Sequence, residues 1–375
     1  MSDNNPSRTA LERLAQVEAR VGEMGGVVYA GPAWLSPNYT EPQVLYPLRD
    51  LIKPGQTAFD VGANFGHLSV AMSRRAGPRG AVCAFEVNPD TAKRCQAALV
   101  QSGCGNALVI SAAVYHSSHQ PLQLYLSDNL VADSVVRKVS DRSIAVRTLA
   151  LDDFVEDTGL VPNFVKMDVE GAEFEAVTGF LRTIEKHSPM LILEQQPDDD
   201  RCFRLLRERG YAALELRTYA TLENFSDIPE GIVVSDILFA RPEHLAGTPY
   251  VGPIAKITEC ELGPGAFEWT SEQMYETVQP IALSAGRYLI DIDFSAEADA
   301  ELKCGVAMDV VPIMQYHGGA DWLSRSARNW VVSVDADGAI SLFFHFLQQR
   351  DPALRVARAR IQRLPGFEGH APLFT

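Results

Sequence analysis

No run in the 375-residue chain approaches the ~20 apolar residues of a membrane helix. The opening MSDNNPSRTA lacks the apolar segment of a secretory signal, so none is expected. Positive charge is scarce: 33 Lys and Arg stand against 48 Asp and Glu, a formal net charge of −15. A broad nucleic-acid surface needs clustered cations, so no nucleic-acid partner is expected. The six cysteines form no CxxC pair and no metal-ligand spacing. Cys83 lies in an apolar run and Cys95 in a helical pattern, so buried thiols, a reducing cytosol and a cytoplasmic location are expected. No internal repeat or low-complexity tract is present.

What is present is ordinary globular material, 46% hydrophobic and 22% charged, in a chain long enough for two domains. Leu11, Leu14, Val17 and Val21 recur at helical spacing, predicting a short amphipathic helix for capping or self-association; it and the connection after it occupy 1–40. A helical stretch follows around 44–51. From Gln56 short β-branched runs alternate with amphipathic stretches. The expected strands are 57–61, 81–86, 107–114, 164–168, 190–195 and 235–240, and the expected helices 66–75, 89–101, 171–186 and 198–209. This alternation predicts an α/β fold, a Rossmann-like doubly wound and mostly parallel sheet, over 41–245. The runs 122–126 and 143–149 read as an extra hairpin.

After the linker RPEHLAGTPYVGP the period changes to two. The runs 288–294, 305–311, 330–334, 339–346 and 355–364, with turn signals SAGR and DADG, predict a small antiparallel β-sandwich over 251–375. Its Trp269, Tyr288, Trp322 and Trp330 are expected in its core. Acceptor selection and oligomerisation are both open roles for it.

The chemistry is concentrated where strands end. The first predicted strand runs into Phe59-Asp60-Val61-Gly62-Ala63-Asn64-Phe65-Gly66, the position where open α/β sheets bind ligands. Gly62 would allow close approach of a ligand and Gly66 a tight helix start. The central glycine of G-x-G-x-x-G is missing and Asp60 would repel a pyrophosphate, which disfavours a nicotinamide-dependent oxidoreductase. The same carboxylate suits S-adenosylmethionine, which carries an ammonium and a sulfonium but no phosphate. Glu86 ends the second strand at the spacing of a ribose-binding carboxylate. In FVKMDVEGAE, Asp168 falls on the same sheet edge, with Glu170 and Glu173 in the following turn; Glu173 reads best as a local helix-start residue. Glu194 lies late in the fifth strand.

At these residues the sequence resembles the FkbM family of S-adenosylmethionine-dependent methyltransferases. The resemblance runs in order through FDVGANFGHLSV, AFEVNP, SAAVY, VRTLALDDF, FVKMDVEGAEFEAVTGF and LILEQQ, covering about residues 40–240. Where the family commonly has Glu-Pro-Asn, Val87 here replaces the proline. The resemblance implies a class I methyltransferase fold and O-methylation of a sugar, glycolipid or secondary metabolite. It implies that Asp60, Gly62, Asn64, Gly66, Glu86 and Asn88 line the cofactor site, with Ala113 near the adenine and Asp168 near the methionine part of the cofactor and the reacting hydroxyl.

An alcohol needs a base as it attacks, and Asp168, Glu170, Glu194 and His67 are the candidates. Asp168, Glu170 and Glu194 could together hold a divalent metal ion, a reading ranked below direct base catalysis. A non-catalytic glycan- or partner-binding protein on a methyltransferase scaffold is the alternative class.

Overall fold

The computed structural model describes residues 27–28, 41–127, 133–196, 198–228, 232, 234–271, 274–296, 302–308, 311–318, 329–334, 337–346 and 354–367. The helix expected over 11–21 and Trp322 lie outside the described residues. Contacts group the chain into two compact units. One comprises Met1–Ser36, Pro47–Ala213 and Ile237–His244; the other comprises Pro37–Tyr46, Leu214–Asp236 and Leu245–Thr375.

The strands up to residue 240 are β1 (Val27–Val28), β2 (Thr57–Val61), β3 (Ala81–Phe85), β4 (Ala107–Ser111), β5 (Ala113–Val114), β6 (Pro121–Tyr125), β7 (Ser143–Leu149), β8 (Phe164–Met167), β9 (Met190–Gln195), β10 (Ala212–Glu215), β11 (Ala220–Leu222) and β12 (Ser235–Ala240). The helices are α1 (Pro42–Leu51), α2 (His67–Ala76), α3 (Pro89–Gln101), α4 (Leu151–Thr158), α5 (Glu173–Thr178), α6 (Leu181–His187) and α7 (Arg201–Glu208).

In the first unit the sheet runs β1-β4-β3-β2-β8-β9-β12. The pairs β4-β3, β3-β2, β2-β8 and β8-β9 are parallel. Every residue of β2, β3 and β8 is buried, as parallel strands covered on both faces require. The strand order reverses between β2 and β8, so the loops after them flank the switch point. Phe59, Phe85 and Phe154 meet edge to face at 5.1–5.6 Å and lock α4 onto the sheet.

The alternation of the sequence is therefore realised, with local differences. The single helix expected over 171–186 is two helices divided at Gly179, where a Cβ would lie 2.1 Å from the Tyr115 carbonyl oxygen. The strand expected over 107–114 changes sheets: β5 leaves β4 and pairs in parallel with β7, which also carries the expected antiparallel partner β6.

The second unit contains two antiparallel sheets. One has the order β13-β22-β17-β20, from Ile257–Leu262, Arg355–Leu364, Gly286–Ala296 and Asn329–Val334. The other has the order β14-β15-β21-β18-β19, from Phe267–Trp269, Met274–Thr277, Gly338–Phe346, Leu302–Met308 and Val311–Gly318, with β16 (Ile281–Leu283) also on β21. The run expected as one strand over 305–311 is thus the end of β18 and the start of β19, paired at Met308 and Val311. Alternate residues Tyr288, Ile290 and Ile292 of the first sheet share one core with Ile340, Leu342 and Phe344 of the second, the period-2 packing of a sandwich. Trp330 lies in that core and Trp269 packs partly buried against it.

Candidate active site

The loop after β2 turns sharply because two of its residues adopt positive φ: Gly62 at 80° and Asn64 at 49°. A Cβ at Gly62 would stand 1.6 Å from the Asp168 carbonyl oxygen, so the glycine is required by the loop after β8 rather than by an approaching ligand. Gly66, at φ 84°, starts α2, and a Cβ there would meet the Cys95 sulfur of α3 at 2.8 Å.

This turn presents amides to Glu86. Asn64 N donates to Glu86 Oε2 at 2.9 Å, and Asn88 N donates to Oε1 at 2.8 Å. An ionised carboxylate offers about four acceptor sites, so each oxygen keeps capacity for a ligand hydroxyl. Burial pushes the Glu86 carboxyl up to about 7. Asp60, 1% exposed, accepts from Ser69 Oγ at 2.5 Å through Oδ2. Among the described residues its Oδ1, and Asn64 Oδ1, are buried without a hydrogen-bond partner. Burial raises the Asp60 carboxyl and the Lys166 ammonium pulls it back. Open buried acceptors of this kind fit a ligand that brings hydroxyl and ammonium donors. The side chain of Asn88 is committed elsewhere: Oδ1 caps α3 at Asp90 N and Nδ2 donates to Asp133 Oδ2 at 2.7 Å. Ala113 is buried in β5 just past the end of β4.

The second half of the site is the end of β8. Lys166, 4% exposed, places its ammonium 3.0 Å from Asp168 Oδ2 and within electrostatic reach of Asp60, Glu86, Glu170 and His67. Reading the sequence for bases passed over this residue. The available signal was a lysine between Val165 and Met167 in a strand expected to be buried, where a cation needs partners. His67 opens α2; burial, then Lys166, hold its imidazole neutral, with its pKa pushed down to about 3. So low a value leaves a weak base near neutrality. Glu170, at φ 55°, pairs with Arg137 at 3.0 Å, and burial pushes its carboxyl up to about 7. Glu173 behaves as a local cap: Oε1 accepts from Val169 N at 2.9 Å and Gly171 N at 3.2 Å. Oxygens of Asp168, Glu173 and Glu194 lie within 4.8 Å of one another. The third carboxylate of this group is therefore Glu173, while Glu170 turns to Arg137. Asp168 keeps about a fifth of its side chain exposed.

Comparison with known proteins finds similarity over the segment that carries this site. Residues 60–213 match the Methyltransferase FkbM domain. A curated relative, the hexuronic acid methyltransferase AglP of Haloferax volcanii, is 30% identical over 148 residues, 39% of this chain and 58% of the relative. The chain thus spans a little over half of that protein. Among solved structures, the methyltransferase FkbM from Methylobacillus flagellatus overlaps 49% of this chain and 43% of its own at 15% identity, TM-score 0.34. The O-methyltransferase from Bacillus cereus, solved with SAH, overlaps 62% and 89% at 13% identity, TM-score 0.34.

Proposed function

We propose that the chain is an S-adenosylmethionine-dependent O-methyltransferase whose acceptor is a hydroxyl of a sugar or similar polyhydroxylated molecule. The observation that carries this reading is the set of buried oxygens open to donors, Asp60 Oδ1, Asn64 Oδ1 and the Glu86 carboxylate, beside Asp168 at the switch point. Glu86 would hold the ribose hydroxyls, and Asp60 the positively charged end. Bound S-adenosylmethionine supplies an activated methyl group for in-line displacement. The protein positions the hydroxyl at attack distance and removes its proton. Asp168 is the residue for that proton, oriented by Lys166 at 3.0 Å. Glu194 and Glu170 are the alternates. The sugar-like acceptor is supported by the named activity of the relative, and the cytoplasmic location by six free thiols, five of them buried. Among the described residues no helix is long and apolar enough to cross a membrane.

Calorimetry with S-adenosylhomocysteine, followed by methyl-label transfer to a panel of glycosides, tests the proposal. Binding with transfer is expected. Binding without transfer to any hydroxylated acceptor would overturn the hydroxyl acceptor, and no binding would favour the non-catalytic scaffold instead.

A further inference from the structure

A cavity of about 530 Å³ opens in the first unit beside the end of β9, and Glu173 forms part of its wall. The same Glu173 carboxylate belongs to the group within 4.8 Å that includes Asp168, so one wall residue of the cavity neighbours the proposed base. Its volume is within the range of small-molecule sites, about 300–1,000 Å³. Its lining is not apolar in the usual way, since Gln195, Arg137, Arg201 and the acidic run 198–200 are all part of it. Such a surface suits a ligand that donates and accepts at many points.

The charge arrangement narrows that ligand further. Both guanidiniums on the wall are already matched. Arg201 binds Asp199 through three contacts of 2.6–3.1 Å, and Arg137 binds Glu170 at 3.0 Å. Four lining carboxylates, Glu173 and those of 198–200, stand against these two cations, with Asp200 also paired to Arg204 at 3.2 Å. A ligand carboxylate would enter a negative field and would have to displace an existing ion pair to find a guanidinium. Hydroxyls meet no such obstacle, because they donate to the carboxylates and to Gln195 Oε1, which among the described residues is buried without a hydrogen-bond partner while Nε2 donates to Glu194 O at 2.8 Å. We infer that this cavity is the acceptor subsite and that it takes an uncharged polyhydroxylated ring, a neutral glycoside, in preference to a uronate. This rests on the methyltransferase reading above, and it departs from the acidic sugar named for the relative.

The test measures kcat/KM for methyl-label transfer to methyl glucoside and methyl galactoside and to the corresponding uronides, with S-adenosylhomocysteine affinity measured in parallel. Neutral glycosides should exceed uronides by about tenfold or more. Asp199→Asn, which releases Arg201, should bring the ratio toward one by improving the uronides, with cofactor affinity unchanged. Gln195→Leu should raise KM for the neutral glycosides more than it lowers kcat. Uronides preferred by the wild type, a ratio unmoved in an Asp199→Asn protein that still binds cofactor, or cofactor binding with neither glycoside class methylated would each overturn the inference while leaving the cofactor site intact. Failure to bind S-adenosylhomocysteine would instead bring down the methyltransferase reading itself.

Discussion

Two buried carboxylates, one in each unit, show how differently the same group is used. Glu215 in the second unit is 0% exposed and is satisfied by its own turn: Arg217 N, Thr218 N and Thr218 Oγ1 donate to it at 2.5–2.9 Å, and Ser235 Oγ at 3.3 Å. Asp60 in the first unit is as deeply buried, yet one of its oxygens is open. A fully satisfied buried acid serves structure, whereas an under-satisfied one marks where a ligand completes the set. Two buried cations follow the same division. Arg287 of the second unit is enclosed by Tyr46 and Phe367 rings at 4.6 and 4.8 Å, with Tyr250 Oη accepting at 3.0 Å. Lys166 of the first unit is surrounded by titratable groups instead.

The largest expected effect separates chemistry from packing. Asp168→Asn should lower single-turnover methyl transfer by about 10²–10⁴-fold, the usual contribution of a positioned base. Cofactor affinity should change only a few-fold. Equal single-turnover rates at saturating cofactor would remove the proton role. Next in size is Gly62→Ala. A Cβ 1.6 Å from the Asp168 carbonyl, on a residue at φ 80°, should cost about 3 kcal/mol or more in denaturant unfolding. An unchanged midpoint would mean that the β2 and β8 loops are not packed as described.

How much of this was legible depends on whether the information is local. FDVGANFG, FEVNP and KMDVEGAE are each written within one strand end and its loop, and parallel topology collects those ends on one edge. Order along the chain was therefore enough to gather Asp60, Glu86 and Asp168. What the strings could not convey was contact between them. The reason for Gly62 is an atom more than a hundred residues away, and the partner that turns Glu170 from Asp168 is Arg137. Helix α4 was missed although Leu151, Phe154 and Val155 are spaced for one buried face and Gly159 ends it at φ 69°. At eight residues it is short for a periodicity signal. The linker near 245 was visible as composition. The contacts assign 37–46 and 214–236 to the later unit as well, and Tyr46 and Tyr219 of these segments both meet Arg287.

That last grouping predicts the third effect. Arg287→Ala removes a stem and a charge that several aromatic rings surround, and should destabilise the second unit by about 2–4 kcal/mol. Titration with S-adenosylhomocysteine should give wild-type affinity in the same protein. A chain cut near Thr248 keeps 37–46 and 214–236 without the rest of their unit, so it should expose apolar surface and bind a hydrophobic dye. A well-behaved fragment would show that the early segments do not need the sandwich.

The smallest effect concerns Glu86 and follows from its burial. Its carboxyl is raised from 4.5 to about 7, so the ligand-free folded chain retains a proton that the unfolded chain has lost over that interval. Stability of the ligand-free protein should therefore fall as pH rises from about 4.5 to about 7, because there the native state binds more protons than the unfolded one. Hydroxyl donors from a ribose favour the ionised form, so cofactor binding should release that proton near neutrality. Affinity for S-adenosylhomocysteine should then rise roughly tenfold between about pH 6 and pH 8. Calorimetry in buffers of different ionisation enthalpy would show the released proton directly. Glu170 titrates in the same range, also near 7, but it lies in the turn after β8 and pairs with Arg137. Glu86→Gln should abolish the pH dependence and weaken binding by about 1.5–3 kcal/mol at pH 8, the value of a charge-assisted contact. Glu170→Gln should leave both unchanged. A pH dependence that survives Glu86→Gln and disappears in Glu170→Gln would move the cofactor-linked proton from the end of β3 to the turn after β8.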